Sequence, residues 1–285
     1  MLVTGKQLLE HADKNGYAVG AFNVNNMEIV QAIIEAAEET QSPVILQASQ
    51  GGLKYAGVEY IAALGKIAAQ NATVPVAIHL DHGTDFEQIM QCIRHGFTSV
   101  MIDGSQFDLD GNIAITKKVI EVARAVGVSV EAELGKIGGT EDDIVVDHAD
   151  ALHTDPDEAA RFVKETGVDF LAIAIGTAHG KYQGDPVIDF DRLKEIRSKV
   201  DIPLVLHGSS GVAYDDLRKA ISLGISKINI DTDVRIAFTK GVSDAIKSNP
   251  DEFDPRKLMG PAREVMKKAI MEKMEVFGSS SKAWK

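Results

Sequence analysis

The sequence predicts an α/β protein, a closed (β/α)8 barrel of the TIM type with a C-terminal helical extension. Apolar strand-like runs alternate with amphipathic helical runs eight times along the chain, which is the pattern of this barrel. The apolar runs are continuous rather than alternating, as is typical of parallel strands covered on both faces. An open doubly wound sheet is the alternative, but eight repeats in 285 residues favour closure.

The eight predicted strands follow one another at regular spacing. Three of them open with proline (positions 43, 75 and 203), which is tolerated at the first residue of a strand. In order, the strands are YAVGAFNV (17–24), PVILQAS (43–49), PVAIHLD (75–81), SVMIDGS (99–105), VSVEAELG (128–135), FLAIAIG (170–176), PLVLHG (203–208) and KINIDT (227–232). Helical runs lie between them, such as MEIVQAIIEAAEET (27–40) and DLRKAISLG (216–224), whose final glycine suits a helix C-terminus.

The extension after the eighth helix reads FDPRKLMGPAREVMKKAIMEKMEVFG and carries an apolar stripe. The residues of the stripe are Val265, Met266, Ala269, Ile270, Met274 and Phe277. Packing on its own barrel and contact with another subunit explain the stripe equally well. Because no low-complexity linker divides the chain, we expect residues 1–285 to form one domain.

Composition excludes several classes of protein. No stretch of eighteen apolar residues occurs, and the first residues resemble neither a signal nor a transit peptide, which favours a cytoplasmic protein without a membrane partner. A net charge of −12 argues against a nucleic-acid surface. The single cysteine, Cys92, rules out an internal disulfide framework and a cysteine-rich metal site.

Polar residues occupy the predicted carboxyl ends of the strands, where the loops of such a barrel meet at one mouth. In strand order they are Asn23, Ser49, Asp81 with His82, Asp103, Glu131 with Glu133, His179, His207, and Asn229 with Asp231. A single histidine is more often structural than a ligand, and we expect His79 to lie deeper in the barrel. Three histidines at one mouth, however, suit a catalytic Zn²⁺ ion, which takes three protein ligands and leaves one position open. These are His82, His179 and His207, each followed by a glycine.

Two glycine-rich stretches, HGKYQG (179–184) and HGSSG (207–211), follow the sixth and seventh strands, and residues 229–232 end the eighth. Barrels commonly bind phosphate at this position. Backbone N–H groups and hydroxyls can hold an anion there without a large positive charge. Ordinary turn chemistry is the alternative explanation.

The segment ELGKIGGTEDD (133–143) combines glycines with a carboxylate run, and no further strand is expected before Asp169. A long loop with glycine hinges over an active site is typical of a mobile lid. A lid carboxylate such as Glu141 could move a proton once the lid closes, although acidic runs are usually solvated.

With these residues identified, the sequence resembles the class II, metal-dependent ketose-bisphosphate aldolases, which include fructose-1,6-bisphosphate and tagatose-1,6-bisphosphate aldolases. The similarity covers essentially the whole chain. It is carried, in order, by YAVGAFNVNN, SPVILQAS, PVAIHLDHG, SVMIDGS, VSVEAELGKIGGTEDD, IAIGTAHGKYQG, PLVLHGSSG, KINIDTD and FDPRKLMGPARE.

The resemblance implies a role for each matching residue. It implies that His82, His179 and His207 bind the catalytic zinc, and that Asp103 and Glu133 serve a second ion or an alternative position of the metal. It implies that Asp81 exchanges a proton with the C4 hydroxyl of the substrate and that Glu141 is the base on the lid. The implied cradle for dihydroxyacetone phosphate, with a monovalent cation nearby, consists of Gly180, Gly208, Ser209, Ser210, Asn229, Ile230, Asp231 and Thr232. Asn23, Ser49 and Arg256 fall where the family contacts substrate.

The implied reaction is the reversible cleavage of fructose 1,6-bisphosphate into dihydroxyacetone phosphate and glyceraldehyde 3-phosphate, a step of glycolysis and gluconeogenesis. Cleavage of the C3–C4 bond leaves an enediolate, which a Lewis-acidic metal stabilises without a lysine Schiff base. The resemblance also implies sugar phosphates as ligands and a homodimer or homotetramer. NIDTD after the last strand is similar to the fructose-bisphosphate members, whereas IAIGTAHG also occurs in tagatose-bisphosphate members, so the second substrate stays an alternative.

Three other functions compete. A Schiff-base aldolase needs a lysine at a strand end, whereas Lys136 and Lys181 are predicted in loops and Lys227 opens its strand. A metal-dependent barrel hydrolase usually carries paired histidines after the first strand, where this chain has FNVNN. A non-catalytic sugar-phosphate-binding barrel would not need Asp81, Glu141 and three histidines together.

Overall fold

Eight parallel strands form a closed barrel in the computed structural model of the chain, as predicted. The structure describes residues 1–141, 144–146, 151–182, 184 and 186–284, and only the backbone of residues 141 and 144–146. The strands are β1 Val19–Asn23, β2 Val44–Ser49, β3 Val76–Asp81, β4 Ser99–Ile102, β5 Ser129–Leu134, β6 Gly138–Glu141, β7 Ile144–Val146, β8 Phe170–Ile173, β9 Ala178–His179, β10 Leu204–Leu206 and β11 Ile225–Ile230. Around the barrel the order is β1, β2, β3, β4, β5, β8, β10 and β11, which closes on β1.

Helices follow the barrel strands in the order expected for the fold. They are α1 Gly5–Asn15, α2 Met27–Thr40, α3 Gln50–Ala56, α4 Val58–Asn71, α5 Phe86–Arg94, α6 Leu109–Ala125, α7 Pro156–Thr166, α8 Phe190–Lys199, α9 Tyr214–Ser222, α10 Thr232–Ser248 and α11 Pro255–Val276. Side-chain caps begin several of them, such as Asn26, whose side chain accepts a hydrogen bond from the Ile29 amide of α2. None of the described helices combines the length and the apolar character that crossing a bilayer requires.

Helix α1 closes the N-terminal end of the barrel, a feature the sequence did not predict. Its apolar face, with Leu8, Leu9 and Ala12, is buried in one cluster with Phe170 and Val205 of the barrel interior. Burial of this apolar surface stabilises the fold. Because α1 covers the N-terminal end of the barrel, the C-terminal end is the accessible mouth.

The extension packs on its own barrel. Helix α11 contacts α2 and α10, and Met266, Ile270 and Met274 of the apolar stripe are fully buried. Lys273 of α11 also reaches the carboxylate of Asp233 at the start of α10, at 2.7 Å. The apolar stripe is therefore explained by contacts within the chain.

The region after β5 differs from the prediction of one long loop. Strands β6 and β7 form an antiparallel pair, and β6 pairs in parallel with β9, so that Gly139 lies beside His179. Gly139 has a φ of +100°, and a Cβ at this position would overlap the backbone of His179. Glycine is required here for close backbone approach. The sixth barrel strand ends at Ile173, so His179 belongs to this small sheet and not to the barrel strand itself.

Candidate active site

The three histidines predicted as metal ligands converge at the C-terminal mouth of the barrel. His82 follows β3 directly, His207 follows β10, and β9 brings in His179. The ring centroids lie 4.6 Å apart for His82 and His207, 4.8 Å for His82 and His179, and 5.9 Å for His179 and His207. One ring nitrogen from each histidine falls within 4.8 Å of the others. His82 adopts a φ of 46°, a region that non-glycine residues rarely occupy and that is often found at functional sites.

Carboxylates orient two of these rings. Nε2 of His207 lies 2.7 Å from Oε1 of Glu131, and Nδ1 of His82 lies 3.1 Å from Oδ2 of Asp103. The opposite nitrogens, Nε2 of His82 and Nδ1 of His207, face each other at 2.8 Å. If each carboxylate accepts the N–H of its histidine, as these contacts indicate, the lone pairs of the facing nitrogens point to a common position.

The pKa values of His207 and Asp103 suit metal binding. Burial lowers the pKa of His207 to about 4, although the hydrogen bond to Glu131 opposes the shift. Burial alone would raise the pKa of Asp103, but its hydrogen bonds with His82 and Ser105 outweigh burial and lower it to about 2. A neutral His207 and an ionised Asp103 are the forms that bind and orient a divalent cation. The residues therefore fit a zinc ion.

A second group of possible metal ligands includes His82 through its other ring nitrogen. Nδ1 of His82, Asp103 and Glu133 form this group, with Oε2 of Glu133 3.9 Å from that nitrogen. All three side chains are buried. The two groups thus contact different nitrogens of one imidazole ring.

Asp81 lies beside the histidines in a set of amide donors. Its Oδ2 accepts hydrogen bonds from Asn23 at 3.1 Å and Gln47 at 3.0 Å, and its Oδ1 accepts one from Asn229 at 3.1 Å. The carboxylate is fully buried, and no cation contacts it among the described residues. Such a carboxylate can take up or release a proton at a group bound next to the histidines.

A layer of buried polar residues lies beneath the histidines, inside the barrel. Glu131 accepts a hydrogen bond from Lys227 at 2.8 Å through Oε2, and Nε2 of His79 lies 3.4 Å from the same oxygen. His79, Glu131 and Lys227 are all 0% exposed. Burial alone would raise the pKa of Glu131, but the charge of Lys227, the hydrogen bond from His207 and the neighbouring His79 ring lower it well below its usual range. His79 is therefore a packed residue below the site, as predicted.

A cavity of about 650 Å³ opens above this group. Its walls include His179 and most of the predicted substrate-binding residues: Asn23, Gly180, Gly208, Ser209, Ser210, Asn229, Asp231 and Thr232. Lys181, Arg235 and Lys240 also line the cavity and supply positive charge in an acidic protein. Arg235 forms an ion pair with Asp231 at 2.7 Å.

The loops that carry His179 and His207 are joined by Tyr182. Its hydroxyl accepts a hydrogen bond from the Ala178 amide and donates one to the Gly208 carbonyl, both at 2.7 Å. Gly208 has a φ of +61°, and a Cβ there would lie 2.5 Å from the Ala178 carbonyl oxygen. Only glycine allows the two loops this close an approach.

Several predicted site residues do not line the cavity. Ser49 caps α3 by accepting a hydrogen bond from the Gly52 amide, and Ile230 belongs to the hydrophobic core. Arg256 is exposed at the start of α11, paired with Asp254 at 2.7 Å. Ser209 does line the cavity, but its hydroxyl donates to the carbonyls of Leu206 and His207, so this residue offers the cavity mainly its backbone. The side chain of Glu141 lies outside the described part of the structure.

Sequence reasoning missed Gln47 and Lys227 and assigned no role to Glu131. Each stands two residues before a predicted site residue on the same strand: Gln47 before Ser49, Lys227 before Asn229, and Glu131 before Glu133. Alternate residues of a strand share one face, so this spacing was the signal that could have identified them as inward-facing. Arg235 and Tyr182 carried no comparable signal.

Comparison with known proteins gives one consistent result. Residues 3–282 match the family model "Fructose-bisphosphate aldolase class-II". The chain is 51% identical to the fructose-bisphosphate aldolase of Thermus caldophilus, over 99% of this chain and all of the relative. It is 47% identical to the probable fructose-bisphosphate aldolase of Bacillus subtilis, over 99% of each. Among solved structures, the YdjI aldolase of Escherichia coli K12 matches with a TM-score of 0.86 and 39% identity over all of both chains. The chain therefore belongs to the class II fructose-bisphosphate aldolase family and is an aldolase, an enzyme of the lyase class.

Proposed function

We propose that this protein is a zinc-dependent aldolase that reversibly cleaves fructose 1,6-bisphosphate into dihydroxyacetone phosphate and glyceraldehyde 3-phosphate. The observation that carries the proposal is the convergence of His82, His179 and His207 beside the buried carboxylate of Asp81. The names of the relatives from Thermus and Bacillus support the choice of substrate.

His82, His179 and His207 would hold the catalytic ion. A zinc ion bound there supplies Lewis acidity toward the ketone carbonyl of the substrate, in place of a Schiff base. Asp103 and Glu133 would serve a second or alternative metal position beside Nδ1 of His82, where an ion would replace the proton that Asp103 accepts, since their oxygens lie on that side of the ring.

Asp81 would move the proton at the C4 hydroxyl. The amides of Asn23, Gln47 and Asn229 hold its carboxylate in one orientation, which is the positioning that general acid–base catalysis requires. Glu141 would move the proton at C3. Glu141 is the last residue of β6. This strand pairs with β9, which contains His179, so the backbone of Glu141 lies near a proposed metal ligand.

The phosphate next to the ketone would bind where the loops after β9 and β10 meet the start of α10. Gly180, Gly208 and Thr232, the first residue of α10, line the cavity, and a helix N-terminus attracts anions. Arg235 and Lys181 would add charge that favours a phosphate over an uncharged ketone. The resemblance adds a monovalent cation at this site.

The test is to measure cleavage of fructose 1,6-bisphosphate and tagatose 1,6-bisphosphate by the zinc-loaded protein. We expect the higher kcat/KM on the fructose compound. A higher value on the tagatose compound would transfer the assignment to that substrate, and no turnover of either would favour a non-catalytic sugar-phosphate-binding protein.

A further inference from the structure

The ion pair between Lys227 and Glu131 is buried inside the barrel, in contact with a proposed metal ligand. The two residues come from β11 and β5, on different sides of the barrel, and both side chains are 0% exposed. The carboxylate of Glu131 is divided between two partners, with Oε2 toward Lys227 at 2.8 Å and Oε1 toward His207 at 2.7 Å. A continuous chain of contacts therefore runs from the Lys227 ammonium to His207.

Stability alone explains this arrangement poorly. Moving two charges out of water costs free energy that their attraction rarely exceeds, and apolar replacements of buried ion pairs are often as stable or more stable. The inward-facing residues around the pair include Val19, Ala21 and Val205, so an apolar filling would suit this part of the barrel. The pair is better explained by what the carboxylate does for His207.

We propose that Lys227 is a positioning residue for the metal site and acts through Glu131. The ammonium group holds one carboxylate oxygen, which directs the other oxygen at Nε2 of His207. That contact sets the rotation of the imidazole ring and keeps its proton on Nε2, so that Nδ1 faces His82 and the metal position. His79 completes the layer, since its Nδ1 lies 2.7 Å from the Ser99 hydroxyl and its Nε2 3.4 Å from Glu131.

This inference rests on the proposed zinc site, and its test uses metal binding rather than turnover. Lys227→Met replaces the ammonium by an apolar side chain of similar length. We expect it to weaken Zn²⁺ binding by about 10–100-fold, the usual effect of losing a group that orients a metal ligand. The zinc dissociation constant is measured by chelator competition, and the visible absorption of the Co²⁺-loaded protein reports the ligand geometry, which we expect to change.

Lys273→Met is the matched control, because Lys273 is also buried and ion-paired, with Asp233, but lies on α11. It should lower thermal stability and leave zinc affinity and the cobalt spectrum unchanged. If Lys227→Met does not fold, Lys227→Gln replaces it, because it removes the ammonium charge and leaves Glu131 unchanged, and zinc affinity should then fall about tenfold.

The outcomes separate the two proposals. A wild-type protein that binds no zinc refutes the proposed function. A wild-type protein that binds zinc, with an unchanged dissociation constant and cobalt spectrum in the folded Lys227 variant, refutes the positioning role alone. An equal loss of affinity in the Lys273 control would also refute it, because the effect would then come from general destabilisation.

Discussion

Replacing Asp81 by asparagine removes the proposed proton carrier while keeping the shape of the side chain. Two donors, Asn23 and Gln47, meet Oδ2 of Asp81, and the Asn229 amide meets Oδ1. In Asp81→Asn, the side-chain oxygen can keep the hydrogen bonds from Asn23 and Gln47, while the new NH₂ group faces the NH₂ group of Asn229. Oδ1 of Asn229 has no hydrogen-bond partner among the described residues, so a flip of that amide would restore the third contact. Without the flip, the unmade bond costs about 1–3 kcal/mol of stability.

The chemical cost of Asp81→Asn should be larger than the structural one. Loss of a positioned general acid–base lowers the rate by about 10²–10⁴-fold. At about 1.36 kcal/mol for each tenfold change, the activation free energy for bisphosphate cleavage should rise by about 2.7–5.4 kcal/mol. Exchange of the C3 hydrogen of dihydroxyacetone phosphate with solvent precedes any event at C4, so it should continue.

The two measurements are a cleavage assay and deuterium incorporation at C3, followed by NMR. Zinc content and melting temperature serve as controls, because both should stay close to the wild-type values. If exchange falls as far as cleavage, Asp81 acts on the C3 chemistry or organises the metal site, and its assignment to the C4 proton is wrong.

Three further predictions test the other parts of the site. Glu141→Ala should lose C3 exchange as well as cleavage while keeping its zinc and its affinity for dihydroxyacetone phosphate; exchange at the wild-type rate would move the base to Asp142 or Asp143. His179→Ala should lose zinc and activity together with little change in the circular dichroism spectrum, and a full zinc complement with normal turnover would remove it from the ligand set. Gly208→Ala should raise KM for the bisphosphate at least tenfold and lower kcat, because its Cβ would push apart two loops of the phosphate cradle; an unchanged KM would place the phosphate elsewhere.

The closed barrel and the three converging histidines were accessible from the sequence because both follow from local patterns. Continuous apolar runs located the barrel strands; HLDHG placed His82 directly after its strand, and PLVLHG placed His207 at the carboxyl end of its strand. Helix α2 has the predicted bounds, Met27–Thr40. Residues that follow parallel strands meet at one mouth, so their convergence needed no knowledge of distances.

Features that depend on contacts between distant segments were not accessible. Glu131 and Lys227 pair across the barrel, and their pairing depends on how β5 and β11 are staggered. Gly139 was interpreted as part of a glycine hinge, and the close approach of its backbone to His179 could not be predicted, because composition does not show which segments come into contact. Arg256 matched a family motif, but where its side chain lies depends on the position of α11, and in this chain it lies away from the cavity.

The most direct test of the central claim is a zinc titration of protein stripped with a chelator, with cleavage of fructose 1,6-bisphosphate as the readout. Stripping should abolish cleavage, and added Zn²⁺ or Co²⁺ should restore it, because three histidines without an ion offer no Lewis acid to the carbonyl. Borohydride added with substrate should leave the enzyme active, since no imine forms. Cleavage at the full rate by stripped protein, or inactivation by borohydride with a modified lysine, would contradict the metal-dependent mechanism.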